Sequence, residues 1–242
     1  MRVSHVALDD FRSYRHAVVE FAPGTTVLLG SNGQGKTNLV EAVSYLSAFS
    51  SHRVSAEQAL VRLPLSADEP QPGGAVVRVR LVTAGERETV IELEIVRGKA
   101  NRAKVNRTQV RPREVLGLLK SVVFSPEDLQ IVRGDPQVRR QFLDDLLIQQ
   151  HPLIAQVKSD FDKVARQRAA LMKSAQSQLR RGFTPDFSTV EVWDDTFAQL
   201  SAQLSLARVG LVEELRGPAA HAYEEIGGSP RKLDIEFLAS QG

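Results

Sequence analysis

Three features of the sequence predict an α/β chain with an antiparallel β-subdomain and a helical arm. An apolar run, Val27-Leu28-Leu29, leads directly into the glycine-rich octapeptide GSNGQGKT and then into apolar positions at helical spacing. Two alternating runs, around 77–81 and 90–96, are joined by a short turn at Ala84-Gly85, as in a hairpin. From about residue 136 to 223, glycine and proline thin out and the pattern turns helical.

The elements follow in order. Val3, Val6, Ala7 and Leu8 predict a first strand ending at Asp9-Asp10, and Val18, Val19 and Phe21 a second, stopped by Pro23-Gly24. Val27–Leu29 has the continuous apolar character of a strand buried on both faces. Leu39, Val40, Val43, Leu46 and Phe49 then mark a helix. Residues 64–74 are Pro-rich and read as a loop, and the hairpin after it as a small appended sheet, solvated on one face. Val122-Val123-Phe124 is another strand candidate, followed by a helix start at Ser125-Pro126-Glu127-Asp128. Two long helices are expected at 152–181 and 188–215. The loop RGFTPDFS joins them, so they should pack antiparallel. Leu233, Ile235 and Phe237 alternate as in a strand. The resulting division is a first lobe at 1–135 that holds the octapeptide and the hairpin, an arm at 136–225 and the start of a return strand at 226–242.

Composition narrows the class. The 242 residues are 42% hydrophobic and 25% charged with a net charge of +2, which excludes a disordered or collagen-like chain. With no cysteine there are no disulfides or thiolate metal sites, and the five histidines lack ligand spacing. The first twelve residues, MRVSHVALDDFR, are charged and unlike a signal peptide, and no run approaches a membrane span of roughly 18 apolar residues. A cytoplasmic protein with no membrane partner is expected.

The octapeptide Gly30-Ser31-Asn32-Gly33-Gln34-Gly35-Lys36-Thr37 fits G-x-x-x-x-G-K-[ST] between strand and helix. The chemistry requires these residue types. Glycines let the backbone curl so that its amides point at a phosphate chain, and the helix adds its positive N-terminal end. Lys36 supplies a cation for the β- and γ-phosphates, and the Thr37 hydroxyl can ligate Mg²⁺. ATP and Mg²⁺ are therefore the expected cofactors, with Lys36 and Thr37 the residues closest to catalysis. Hydrolysis also needs a second carboxylate after four apolar residues. Leu143-Asp144-Asp145 has too short an apolar run, and Leu211-Val212-Glu213-Glu214 lies in a helical pattern. The missing acid and the unpaired final strand suggest part of a longer protein, inactive by itself.

Further residues carry a family resemblance: Phe11-Arg12-Ser13-Tyr14, the loop with Asn38 after it, Phe124-Ser125-Pro126-Glu127-Asp128-Leu129, and Arg139-Arg140-Gln141-Phe142-Leu143-Asp144. Together they resemble the RecF family, relatives of SMC proteins and Rad50. Ser50-Ser51-His52-Arg53 is similar to a family motif ending in Ser-Phe-Arg, with His52 in place of Phe. The resemblance implies an ABC/SMC-head type of P-loop NTPase, with Walker B and signature motifs beyond this chain. It implies a weak DNA-dependent ATPase in the full-length protein, an ATP-dependent homodimer, and binding to DNA at single-strand gaps and duplex junctions. It also implies loading of the RecA recombinase with RecO and RecR partners, in recombinational repair and the SOS response. Arg12 would approach the nucleotide from the side, and Asn32, Gly33, Gly35 and Asn38 would line the loop. Glu127 stands at the Q-loop position, acting on metal or water or capping a helix. Arg139 and Arg140 match paired family arginines, acting near nucleotide or DNA or as salt bridges. The alternative reading is a nucleotide-gated protein-interaction module of SMC/Rad50 type, with DNA contact secondary.

Two basic stretches could touch phosphate. Residues 97–113 hold seven basic side chains and no acid: Arg97, Lys99, Arg102, Lys104, Arg107, Arg111 and Arg113. In the arm, Lys163, Arg166, Arg168, Lys173, Arg180 and Arg181 also lack an intervening acid. Neither stretch interleaves aromatics, which favours backbone contact over base stacking. Four engaged cations would give log K against log[salt] a slope of roughly −3.6. Trp193 reads as core.

Overall fold

The computed structural model describes all residues except 52, 55, 185–187, 228–231 and 239–242, and of residues 188, 189 and 191 the backbone alone. The chain forms two compact units, Met1–Val138 and Arg139–Gly242.

The first unit is built on one antiparallel sheet. Its strands are β1 (Arg2–Phe11), β2 (Tyr14–Glu20), β3 (Gly74–Val82), β4 (Glu88–Val96), β5 (Arg102–Val105) and β6 (Thr108–Val110). They lie in the order β2-β1-β3-β4-β5-β6. Period-two patterning sends Val6, Leu8, Val77, Val79, Leu81, Ile91, Leu93 and Ile95 to one face, where all are buried. Helix α1 (Lys36–Ala48) adds Leu39, Ala42, Tyr45 and Leu46 to the same core.

Several sequence expectations need correction. The β3–β4 hairpin is not a separate appended sheet. It is the centre of this one, because β3 also pairs with β1. Alternation specifies a strand and its hairpin partner but leaves the far neighbour open. Strand β1 does not stop at Asp9-Asp10: those carboxylates are held by His16 at 2.6 Å and Arg62 at 2.8 Å, and pairing continues to Phe11. Val27–Leu29 and Val122–Phe124 form no ladder. Val27, Leu29, Val122 and Phe124 are 71%, 88%, 92% and 88% exposed, not buried on both faces. An apolar run becomes a strand only where a neighbour takes its backbone groups, and none lies beside these two among the described residues.

After Ser125 the chain makes one turn at Pro126–Asp128 and enters α2 (Leu129–Arg133). The second unit holds the described part of α3 from Arg139 onward (α3, Pro136–Gln150), α4 (Ile154–Arg180) and α5 (Ser188–Gly227). Phe161 stacks on Phe197 at 5.3 Å and Arg168 meets Asp194, so α4 and α5 run antiparallel. Helix α5 continues twelve residues past the expected end at 215, straight through Pro218. Proline's fixed φ is helical, so the helix survives its missing N–H. Residues 232–238 alternate in burial but belong to no sheet, and Arg216 donates to the Ile235 carbonyl at 3.0 Å. Part of the RGFTPDFS loop lies outside the described residues.

Asp144, one of the acids weighed as a metal ligand, is buried in the second unit. It takes both Nε and Nη2 of Arg208, at 2.8 and 2.9 Å. Its lone pairs are spent on a structural ion pair joining α3 to α5.

Candidate functional site: a phosphate-binding loop with a flanking arginine cluster

The octapeptide curls as its composition requires. Gly35 is the N-cap of α1 with φ +96°, and a Cβ there would meet Ser13 Oγ at 2.7 Å and the Tyr14 ring at 3.0 Å. Only glycine fits that left-handed, crowded position. Tyr14 Oη donates to the Gly35 carbonyl at 3.1 Å, so the β1–β2 turn braces the loop. Gly30 and Gly33 also take positive φ, +151° and +82°.

Lys36 reaches back inside the curl. Its Nζ donates to the carbonyls of Gly30 at 2.7 Å and Ser31 at 2.8 Å. Both bonds are exposed, so the ammonium is not walled off. Among the described residues, the amides of Gly33 through Asn38 have no acceptor, and α1 has no acid in its first turn. The site therefore combines free donors, a positive helix end and a tethered cation, which is what a polyphosphate requires. Ser31, Asn32, Gln34 and Thr37 are exposed along the same loop, and the Thr37 hydroxyl is available to a cation. No group of three His, Asp or Glu side chains able to hold a metal occurs among the described residues. The loop fits the phosphates of ATP. A magnesium ion at Thr37 would need its remaining ligands from phosphate and water.

A second cluster flanks the loop. Glu41, one turn into α1, is only 1% exposed. It accepts Arg12 Nε at 2.9 Å and Nη2 at 2.6 Å, a fork-to-fork pair, as well as the Ser51 hydroxyl. Arg53 lies 3.4 Å from the same carboxylate and donates to Asn38 Oδ1 at 2.7 Å, while Asn38 Nδ2 donates to Ser13 at 2.9 Å. Burial pushes Glu41 upward, but the Arg12 and Ser51 hydrogen bonds and the charges of Arg12 and Arg53 outweigh it and hold the carboxyl below its usual range. Arg12 sits in the two-residue β1–β2 turn with φ +53°, a conformation non-glycine residues rarely take, so the fold spends backbone strain to hold it here.

Beside the cluster is a cleft of about 750 Å³ lined by Arg12, Arg15, Asn38, Arg53, Arg62 and Glu69, among others. Arg62 is paired with Asp10 at 2.8 Å and Glu69 at 2.7 Å. The Arg62 hydrogen bond, helped by the Leu65 amide, pulls Glu69 down to about 2.

The sequence-predicted residues divide. Gly30 through Asn38 run from the loop into the first turn of α1, and Arg12 is tied to that helix through Glu41. Glu127 is exposed in the Pro126–Asp128 turn, and Asp128 caps that turn by accepting the Ser125 amide at 2.6 Å. Arg139 and Arg140 are exposed on α3, and His52 lies outside the described residues. Glu41 was missed. The signal was available: an acid inside an apolar helical run needs a buried partner.

These features define an α/β P-loop head of the ABC/SMC type. The model of the RecF/RecN/SMC N terminal domain matches residues 2–212, and the chain belongs to that family. It is 47% identical over 241 residues to the DNA replication and repair protein RecF of Frankia alni, covering 99% of this chain and 62% of that protein. It is 48% identical to the RecF of Beutenbergia cavernae, covering 99% and 59%. The chain thus spans about three-fifths of the length of the curated relatives it matches. Among solved structures it resembles the recombination mediator protein RecF-ATPrS in the RecFOR pathway, with a TM-score of 0.80 and 27% identity over 94% of this chain and 58% of that chain. The corresponding RecF-ATP structure gives 0.79. No helix among the described residues is long and apolar enough to cross a membrane.

Proposed function

We propose that this chain is the ATP-binding part of a RecF-like DNA replication and repair protein. The observation that carries the reading is the curl of free amides around Lys36, with its ammonium already held inside the loop. Lys36 would trade two neutral carbonyls for phosphate oxygens, and Thr37 would hold magnesium. Asn32, Gly33, Gln34 and Gly35 would wrap the phosphates. Arg12 and Arg53 would add positive potential from the side while Glu41 keeps them in place. ATP would polarise at these donors, and hydrolysis would need an acid from elsewhere in the protein.

The family relationship supports the wider reading: an ATP-dependent homodimer that binds DNA at gaps and junctions in the cytoplasm. With RecO and RecR partners it would help load RecA in recombinational repair and the SOS response.

Calorimetric titration of ATP with magnesium into the chain and into Lys36→Ala tests the core of this proposal. A charge-assisted hydrogen bond contributes roughly 1.5–3 kcal/mol, so affinity should fall by about 10- to 150-fold. Equal affinities would remove Lys36, and with it the loop, from nucleotide binding.

A further inference from the structure

We infer that the face of α4 turned away from α5 is a docking surface for the phosphate backbone of duplex nucleic acid. The inference rests on the DNA-binding reading above and assigns it a place.

The two basic stretches of the sequence fare differently in the fold. In the sheet, cross-strand acids absorb the charge. Lys104 lies 2.7 Å from Glu92, which also takes Arg78, and Arg102 lies 3.6 Å from Glu94. Lys104 and Arg78 accordingly hold Glu92 below its usual pKa range against the effect of burial. The expected phosphate-binding face at 97–113 thus loses its two central cations, Arg102 and Lys104, because β4 sets its glutamates opposite β5.

The arm behaves otherwise. Phe161, Val164, Leu171 and Ala175 form the side of α4 that is covered. Arg168, counted with the basic face from sequence, belongs to this covered side: it bonds Asp194 at 2.5 Å and lies 5.3 Å over the Phe197 ring. Lys163, Arg166, Lys173 and Arg180 are spaced by three, seven and seven residues, so they form one row along the opposite face, with Arg181 just beyond. All five are exposed, and none of their side chains has an ion-pair or hydrogen-bond partner among the described residues. Yet Lys158, Arg168, Arg208 and Arg216 of the same unit are all paired.

The row is unpaired because its i±4 positions hold Ser159, Gln167, Ala169, Ala170, Gln176 and Ser177. Of the two acids in reach, Asp162 is taken by Lys158 at 2.6 Å, and Asp160, three residues before Lys163, accepts from Gln156 at 2.9 Å. Small exposed residues between the cations, Ala169, Ala170, Ser174 and Ser177, let a backbone come close. At 1.5 Å per residue the row from Lys163 to Arg180 is about 25 Å long, which matches roughly seven base pairs of duplex. A compact phosphate ligand cannot span that length. No aromatic lies within the row to stack unpaired bases, so the fit is to duplex phosphate and not to single strands.

The test is fluorescence anisotropy of a labelled blunt 24-base-pair duplex, with ATP present, from 50 to 200 mM NaCl. The chain is compared with Lys163→Gln/Arg166→Gln/Lys173→Gln/Arg180→Gln. Glutamine has nearly the helix propensity of lysine and arginine, so the fold should persist, which the thermal midpoint checks. Losing four phosphate contacts should flatten the slope of log K against log[salt] by about 3.6. Five contacts acting alone would cost the wild type about 500-fold in affinity over this range, against about 3.5-fold for the variant. Wild-type binding with an unchanged slope in the variant would overturn the assignment to α4 while leaving DNA binding intact. No wild-type binding at 50 mM would overturn the DNA reading itself. If the variant lost binding to labelled poly-L-glutamate but kept the duplex, the row would belong to an acidic protein, and the proposal would fall.

Discussion

Replacing Glu41 by glutamine should destabilise the first unit more than any single change at its surface. The carboxylate is 1% exposed and holds two nitrogens of Arg12, with Arg53 at 3.4 Å. An amide can accept one of these bonds, but its NH₂ faces the guanidinium that the second oxygen had satisfied. Removing one partner of a buried pair costs about 3–5 kcal/mol because the other charge is left uncompensated. The Arg12 side chain is 16% exposed and that of Arg53 35%, so water relieves part of the penalty and the low end, about 3 kcal/mol, applies. With an unfolding entropy of about 2.1 cal/mol/K per residue over a unit ending at Val138, the midpoint should fall by about 10 °C. Scanning calorimetry reads the midpoint, and hydrogen exchange in β1 and α1 assigns the loss to this unit. The double variant Arg12→Met/Glu41→Leu replaces the pair with apolar groups and should recover most of it. A midpoint for Glu41→Gln within 2 °C of wild type, or a double variant no better than the worse single one, would refute this account of how Arg12 is held.

Two further outcomes follow from the same geometry. Gly35→Ala puts a Cβ 2.7 Å from Ser13 Oγ at φ +96°, so it should cost about 1–3 kcal/mol and weaken ATP binding at least tenfold; unchanged midpoint and affinity would show that the loop relaxes freely. Acid stability depends on Glu41, Glu69 and Glu92, all depressed in the folded state, Glu69 to about 2. Carboxylates with lowered pKa values stabilise above their unfolded value of 4.5 and lose that contribution as pH falls through the folded one. Thermal midpoints should therefore be flat from pH 7 to about 5 and drop below about 4.5, whereas a midpoint constant down to pH 3 would disprove the coupling.

The phosphate loop was legible in the linear chain because its demands are local. Positive φ needs glycine, the amides belong to consecutive residues, and Lys36 reaches carbonyls five and six residues back. The arm helices were legible for the same reason, since a 3.6-residue period is written in neighbouring positions. The end of α5 was not, because a proline that usually breaks a helix can also sit inside one.

What pattern could not supply was partnership across the chain. Arg12 and Glu41 are 29 residues apart, and Asp144 and Arg208 are 64 apart. Nothing local marks either pair. The charge runs teach the same lesson: residues 97–113 and the α4 row look alike as sequence, but strand register sets glutamates opposite Arg102 and Lys104, while the acids nearest the α4 row are taken by Lys158 and Gln156. Local backbone geometry and hydrophobic period thus reside in the residues themselves. Which charges are cancelled and which remain free to bind is settled only when distant segments meet, because ion pairing depends on separation in space.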